Sequence, residues 1–211
     1  MSNHSITSLF TDEKIIQKIK AKLPELFEIA EIECSRDGKV GMEVGSAREQ
    51  ILTALLVYVF GEENVITDIP ITKSEEDVRL FNNPISIKTI TGINGVKAIW
   101  TVDAQKAKEF CEFYKPTADI LLAIIMWNID NENEGLFLIP KIMQEKWIKK
   151  LGRGIYLTMP KPGTNPRGVE ISKKAISSMV NDKKTYHIEI KWKKSGLKYK
   201  TYKRWLEMWE N

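Results

Sequence analysis

The stretch Glu76-Asp77-Val78-Arg79-Leu80-Phe81-Asn82-Asn83-Pro84-Ile85-Ser86-Ile87-Lys88-Thr89-Ile90 decides how the rest of the chain is read. Asn82-Asn83 is a turn signal between two apolar alternations, Val78/Leu80 and Ile85/Ile87, and the pattern predicts a β-hairpin. With the two asparagines as its loop, Phe81 faces Pro84, Arg79 faces Ser86 and Asp77 faces Lys88. Directly opposed residues have Cβ atoms roughly 4.5–5.5 Å apart. An acid and a lysine on one face form either a cross-strand salt bridge or part of a site for a metal and a phosphate.

Working outward, composition narrows the chemistry. The 211 residues are 43% hydrophobic and 28% charged, enough to bury one real core. The longest apolar run, 120–127, is too short to span a bilayer, and the first residues lack the pattern of a signal peptide. The expectation is a soluble, cytoplasmic protein. Cys34 and Cys111 are too few for a disulfide framework or a thiolate zinc site. His4 and His187 are the only histidines, which argues against histidine-based nucleases and Ser-His or Cys-His hydrolases. Hydrolytic chemistry here must rest on carboxylates, lysine and a metal.

The net charge of +4 hides an asymmetry. Residues 141–211 hold 18 Lys+Arg against 6 Asp+Glu, whereas residues 1–140 hold 14 against 22. A basic carboxyl-terminal third beside an acid-rich remainder suits an enzyme acting on nucleic acid, although many basic faces are merely solvated.

Periodicity gives an outline. A helix is expected over 11–33, carrying Ile15, Ile16, Ile19 and Leu23 on one stripe and broken at Pro24, with 26–32 as a second short element. Ser46-Ala47-Arg48-Glu49 reads as a capping box opening a helix that stops at Gly61. Glu49 can therefore serve the cap alone. Its spacing of three and seven from Leu52 and Leu56 also turns it toward the core side. Further strands are expected over 64–69, 96–102, 119–127, 136–139 and 185–193, that over 119–127 being central and buried on both faces. Helices are expected over 104–114, 142–151, 171–180 and 197–209, with loops at 152–154 and 161–168. The result is a single α/β domain over 1–211, its catalytic core at about 46–140 and its basic, DNA-binding part at 141–211.

A helix presenting Glu49, a strand presenting Asp77 and a paired strand presenting Ser86-Ile87-Lys88 resemble the core of the PD-(D/E)xK nucleases, a mixed sheet flanked by helices. Ser86 replaces the acid that usually stands two residues before the lysine, and Glu49 sits where a helix carboxylate substitutes for it. More narrowly, Gly41-Met42-Glu43, Ser46-Ala47-Arg48-Glu49, Asp77 and Ser86-Ile87-Lys88 resemble the ThaI family of type II restriction endonucleases over about 40–100. That resemblance implies a homodimeric, magnesium-dependent enzyme that cuts double-stranded DNA at the centre of CGCG and leaves blunt ends.

The residue chemistry agrees. Magnesium takes one or two protein carboxylates and leaves its other positions to water and phosphate. Glu49 and Asp77 are the candidates, with the Ile87 carbonyl as a third ligand and Lys88 to orient water or neutralise phosphate charge. Met42, between glycines, is either a tucked loop residue or, as the resemblance implies, a wedge entering a base step from the minor groove. Arg153, Lys161, Asn165 and Arg167, on polar loops of the basic third, are candidates to contact DNA. Asp12-Glu13-Lys14, Asp37-Gly38-Lys39 and Asp182-Lys183-Lys184 match D-x-K literally, but none follows a strand with a facing acid. A repair or junction-resolving nuclease and a non-catalytic DNA-binding protein are the competing readings.

Overall fold

A computed structural model describes residues 5–210 except 38, 71, 74, 102, 130–132 and 161–167, and the side chains of 203–205 are not described. Its elements are α1 (Glu13–Glu33), β1 (Ser35–Arg36), β2 (Lys39–Val40), α2 (Val44–Phe60), β3 (Val65–Ile66), β4 (Val78–Leu80), β5 (Asn83–Thr91), β6 (Val96–Ile99), α3 (Ala104–Phe113), β7 (Asp119–Ile125), β8 (Gly135–Ile139), α4 (Lys141–Leu151), α5 (Arg153–Tyr156), β9 (Leu157–Thr158), β10 (Val169–Ile171), α6 (Lys173–Val180), β11 (Tyr186–Glu189) and α7 (Lys203–Glu210). No described helix is long and apolar enough to cross a membrane.

Six strands form a mixed sheet in the order β11-β8-β7-β5-β4-β3, in which β5 and β7 are the parallel pair. Central β7 is buried along nearly its whole length because both faces are covered. Successive residues point to opposite faces. Leu121, Ala123 and Ile125 enter one core with α1, α2 and Trp192, while Ile120, Leu122 and Ile124 enter a second with α3, α4 and α6. A smaller sheet, β6-β10-β9, closes the second core.

The structure corrects the expected hairpin loop. Phe81 and Asn82 occupy it, with φ of 48° and 63°, and pair Leu80 with Asn83, Arg79 with Pro84 and Val78 with Ile85. Two positive φ angles match the twist of a tight hairpin. Phe81 adopts this unfavourable backbone with its ring packed edge-on against Phe60 and its N–H bonded to the Asn64 carbonyl. Extended by one position, that register sets Asp77 at the level of Ser86, two residues short of Lys88.

The expected break at Pro24 is absent, and α1 runs through it. A mid-helix proline costs ~3 kcal/mol. Leu23 and Phe27, on either side of it and both buried, offset that cost at about 1.5–3 kcal/mol each. Helix α2 begins at Val44 and has no side-chain cap, so Ser46 and Glu49 do not form a capping box. The segments 64–69, 96–102 and 185–193 contain shorter strands than expected, and 197–209 is helical from Lys203 onward. Ile171, the first residue of the helix expected over 171–180, instead ends strand β10, and the helix begins at Lys173.

The ends of α1, α2, β5 and β7 meet at one buried acid. Glu31 accepts from Arg48, from Trp127 Nε1 at 2.5 Å and from Lys194 Nζ at 2.6 Å. Arg48 also donates to Thr91 Oγ1 at 3.2 Å. Removing one partner of such a buried pair strands the other charge away from water. Glu31→Leu should therefore destabilise the fold by about 3–5 kcal/mol in denaturant unfolding. Glu25→Leu, which breaks the exposed Lys22–Glu25 pair, should cost under about 1 kcal/mol. Equal effects from the two substitutions would contradict this account.

Candidate active site

Three adjacent acids precede β4, and their partners sort them. Glu75 accepts from Tyr114 Oη at 2.5 Å and from the Thr117 N–H and hydroxyl at 3.1 and 2.9 Å. Glu76 is bound by Arg79, whose hydrogen bond holds its carboxyl below the usual range. Asp77 alone of the three lines the cleft at the end of the sheet.

The Asp77 backbone N–H continues the hairpin by donating to the Ile85 carbonyl at 3.0 Å. Its Oδ2 accepts from the Ile87 N–H at 2.6 Å, Lys88 Nζ at 2.8 Å and Ser86 Oγ at 3.2 Å. Lysine's length thus restores the acid–lysine contact that the altered register moves out of direct opposition. Ser86 is 4% exposed, so its hydroxyl positions Asp77 from within the protein. The three donors converge on one oxygen and leave Oδ1 outside the cluster.

Glu49 projects from α2 into the same open cleft, of about 390 Å³, which Met42, Asp77, Lys88, Lys97, Trp100 and Glu170 also line. Burial pushes the Glu49 carboxyl up to about 7, aided by the nearby Asp77 charge and opposed by Lys88. Among the described residues no group of three or more His, Cys, Asp or Glu side chains could hold a metal. One or two carboxylates are the usual protein share of a magnesium site, and an acid that is costly to ionise without a cation fits such a ligand.

The other sequence candidates fall in different places. Met42 is 85% exposed on the rim of the cleft. Arg153 donates to the Tyr114 carbonyl at 3.3 Å and does not line the cleft. Lys161, Asn165 and Arg167 lie outside the described residues. The D-x-K decoys have structural partners or backbone roles: Asp12 caps α1, Asp37 sits in a turn with φ of 51°, and Asp182 binds Lys146 and Trp147. His187 stacks on Phe137 and contacts the Glu134 carbonyl at 2.9 Å. Lys97, Trp100 and Glu170 were missed, because Lys97 reads as the polar position of an alternating strand and its partner lies 73 residues away.

A mixed sheet carrying a helix acid, a hairpin acid and a strand lysine at one end defines the core of a PD-(D/E)xK nuclease. Comparison with known proteins narrows the class. Residues 9–211 match the family model described as restriction endonuclease ThaI. The fold is similar to a solved structure described as a restriction endonuclease in complex with substrate DNA, at TM-score 0.88 and 49% identity over 97% of this chain and 98% of that one. No curated protein sequence matches significantly. The chain belongs to the ThaI restriction endonuclease family and is a site-specific deoxyribonuclease.

The raised Glu49 carboxyl sets two pH dependences. The folded protein holds this proton more tightly than the unfolded chain, so the Glu49 contribution to metal-free stability should be lost as pH rises from about 4.5 to about 7. A cation that binds the carboxylate form must displace the proton, so Ca²⁺ affinity should drop about tenfold per pH unit below about 7 and level off above it. Carboxyl ¹³C NMR and calorimetric Ca²⁺ titrations should report the same midpoint. Titration of Glu49 near 4.5 with pH-independent affinity would contradict the assignment.

Proposed function

We propose that this enzyme is a Mg²⁺-dependent type II endonuclease that hydrolyses both strands of double-stranded DNA at the centre of CGCG and leaves blunt ends. The observation that carries the chemistry is the meeting of Glu49, Asp77 and Lys88 in one cleft. Family membership and the sequence resemblance over about 40–100 support the target sequence.

Glu49 and Asp77 would supply the carboxylate ligands. The Ile87 carbonyl would join them, since an extended residue's N–H and C=O point to the same strand edge and the Ile87 N–H points at Asp77. When bound, Mg²⁺ polarises the phosphate and acidifies a coordinated water. Asp77, held by Ser86 and the Ile87 N–H, presents its second oxygen in a fixed direction. Lys88 exchanges part of its contact with Asp77 for the attacking water or a non-bridging phosphate oxygen, where it offsets developing charge.

Cutting two strands of a symmetric site calls for two copies of this cleft, and we assign the enzyme as a cytoplasmic homodimer. Each copy is a single endonuclease domain, with the catalytic core at about 46–140 and DNA contacts concentrated in 141–211, including Arg153, Lys161, Asn165 and Arg167. Met42, exposed on the cleft rim, fits an apolar wedge that enters a base step from the minor-groove side.

Digestion of a mapped plasmid in Mg²⁺ tests the proposal. The expected products are discrete, blunt-ended fragments that end within CGCG. Glu49→Gln, Asp77→Asn and Lys88→Met should each lower the cleavage rate by at least about 10²-fold. Asp182→Asn, remote from the cleft, should cut at the wild-type rate. Cleavage unrelated to CGCG would refute the specificity, and unimpaired Glu49→Gln would refute the helix carboxylate.

A further inference from the structure

The wall of the cleft made by β6 and β10 carries an ion pair that the catalytic constellation does not use. Lys97 on β6 and Glu170 on β10 are cross-strand partners, with Lys97 Nζ 2.8 Å from Glu170 Oε1. The ammonium also lies 5.1 Å from the centre of the Trp100 ring, which is 71% exposed. On β6, Val96 and Ala98 are buried in the second core, so Lys97 takes the opposite face.

The backbone around this pair is specifically shaped. The β6–β10 register shifts between Val169 and Glu170, the kind of irregularity that re-aims a side chain beside an active site. Gly168 has φ of +90°, and a Cβ there would lie 1.8 Å from the Ile99 carbonyl oxygen. A Cβ on Gly95 would lie 2.8 Å from the Ile171 carbonyl oxygen and 3.2 Å from Glu170 Oε2. Both glycines let the two strands approach closely around Lys97 and Glu170.

Charge makes the pair consequential. The residues lining the cleft include three carboxylates, Glu49, Asp77 and Glu170, against two ammoniums, Lys88 and Lys97. Lys88 is engaged with Asp77 and Lys97 with Glu170. Among the described residues that line the β6–β10 wall of the cleft, Lys97 is the cation that can meet a DNA strand entering it.

We infer that Lys97 is a DNA-phosphate contact beside the scissile position, held ready by Glu170 and Trp100, and that it moves from the carboxylate to a backbone phosphate when DNA is seated. This rests on the DNA-cleaving reading above. Glu170 is a positioning residue: it orients the ammonium in the free enzyme but repels the strand that replaces it. The two partners therefore act on DNA affinity with opposite signs, unlike the partners of a structural salt bridge.

Binding of a CGCG duplex, and of a duplex lacking that sequence, should be measured against salt with Ca²⁺ in place of Mg²⁺. Each phosphate contact contributes about 0.9 to the slope of log affinity against log salt. Lys97→Met should lower that slope by about 0.9 and weaken both duplexes about eightfold at 0.1 M salt. Lys97→Gln, which keeps a hydrogen bond to Glu170 available, should show the same loss even if the methionine variant folds poorly. Glu170→Gln should bind at least as tightly as wild type with an undiminished slope. Wild-type slope in Lys97→Gln, or weakening by both the Lys97 and Glu170 substitutions, overturns the inference while leaving the endonuclease reading intact. Failure of the wild type to bind either duplex overturns both.

Discussion

One carboxylate oxygen, Asp77 Oδ2, gathers the cleft end of the molecule. It receives a main-chain N–H, a buried hydroxyl and an ammonium from three consecutive residues of β5. That convergence requires β4 to begin only after Asp77, at Val78, and β5 to continue past it along β7. Where β4 no longer pairs, the β5 edge is available to a side chain. The Asp77 carboxylate takes the place of the absent strand, and its other oxygen lies outside that cluster of donors. Helix α2 then brings Glu49 to the same place, with Arg48 tied to Glu31 and Thr91 at its side.

Much of this was legible because it depends on short-range periodicity. The uninterrupted apolar run around Leu121 could only be a strand covered on both faces, and Glu49 shares its helical stripe with Leu52 and Leu56. The pairing of Asp77 with Lys88 survived an error in the hairpin loop because lysine reaches across one pair of residues. The loop itself was misplaced because Phe81 accepts a left-handed backbone only in the presence of Phe60 and Asn64, which adjoin it through tertiary packing. Pro24 was read as a helix stop for a similar reason: the burial of Leu23 and Phe27 that offsets it belongs to the core and not to local propensity.

The least legible features join distant parts of the chain. Glu31 is linked to Trp127 and Lys194, Glu28 accepts from the Ser195 and Gly196 amides at 2.8 and 3.0 Å, and Lys97 pairs with Glu170. Each acid reads locally as one exposed charge among many. The basic third is woven into the fold through such contacts: it supplies β9 and β10 to the smaller sheet, β11 to the edge of the larger one, and Trp192 to the core against Phe27. Charge counting pointed to residues 141–211, whereas the two lysines that line the cleft, Lys88 and Lys97, lie outside that third.

The central claim is that Glu49 and Asp77 hold one divalent cation between a helix and a hairpin. Crystals soaked in Mn²⁺, an anomalous scatterer that stands in for Mg²⁺, test it most directly. The account predicts an anomalous peak within about 2.2 Å of Glu49 and of Asp77 Oδ1, retained in Lys88→Met and lost in Glu49→Gln. A peak coordinated by neither carboxylate, or one that persists unchanged in Glu49→Gln, would contradict it.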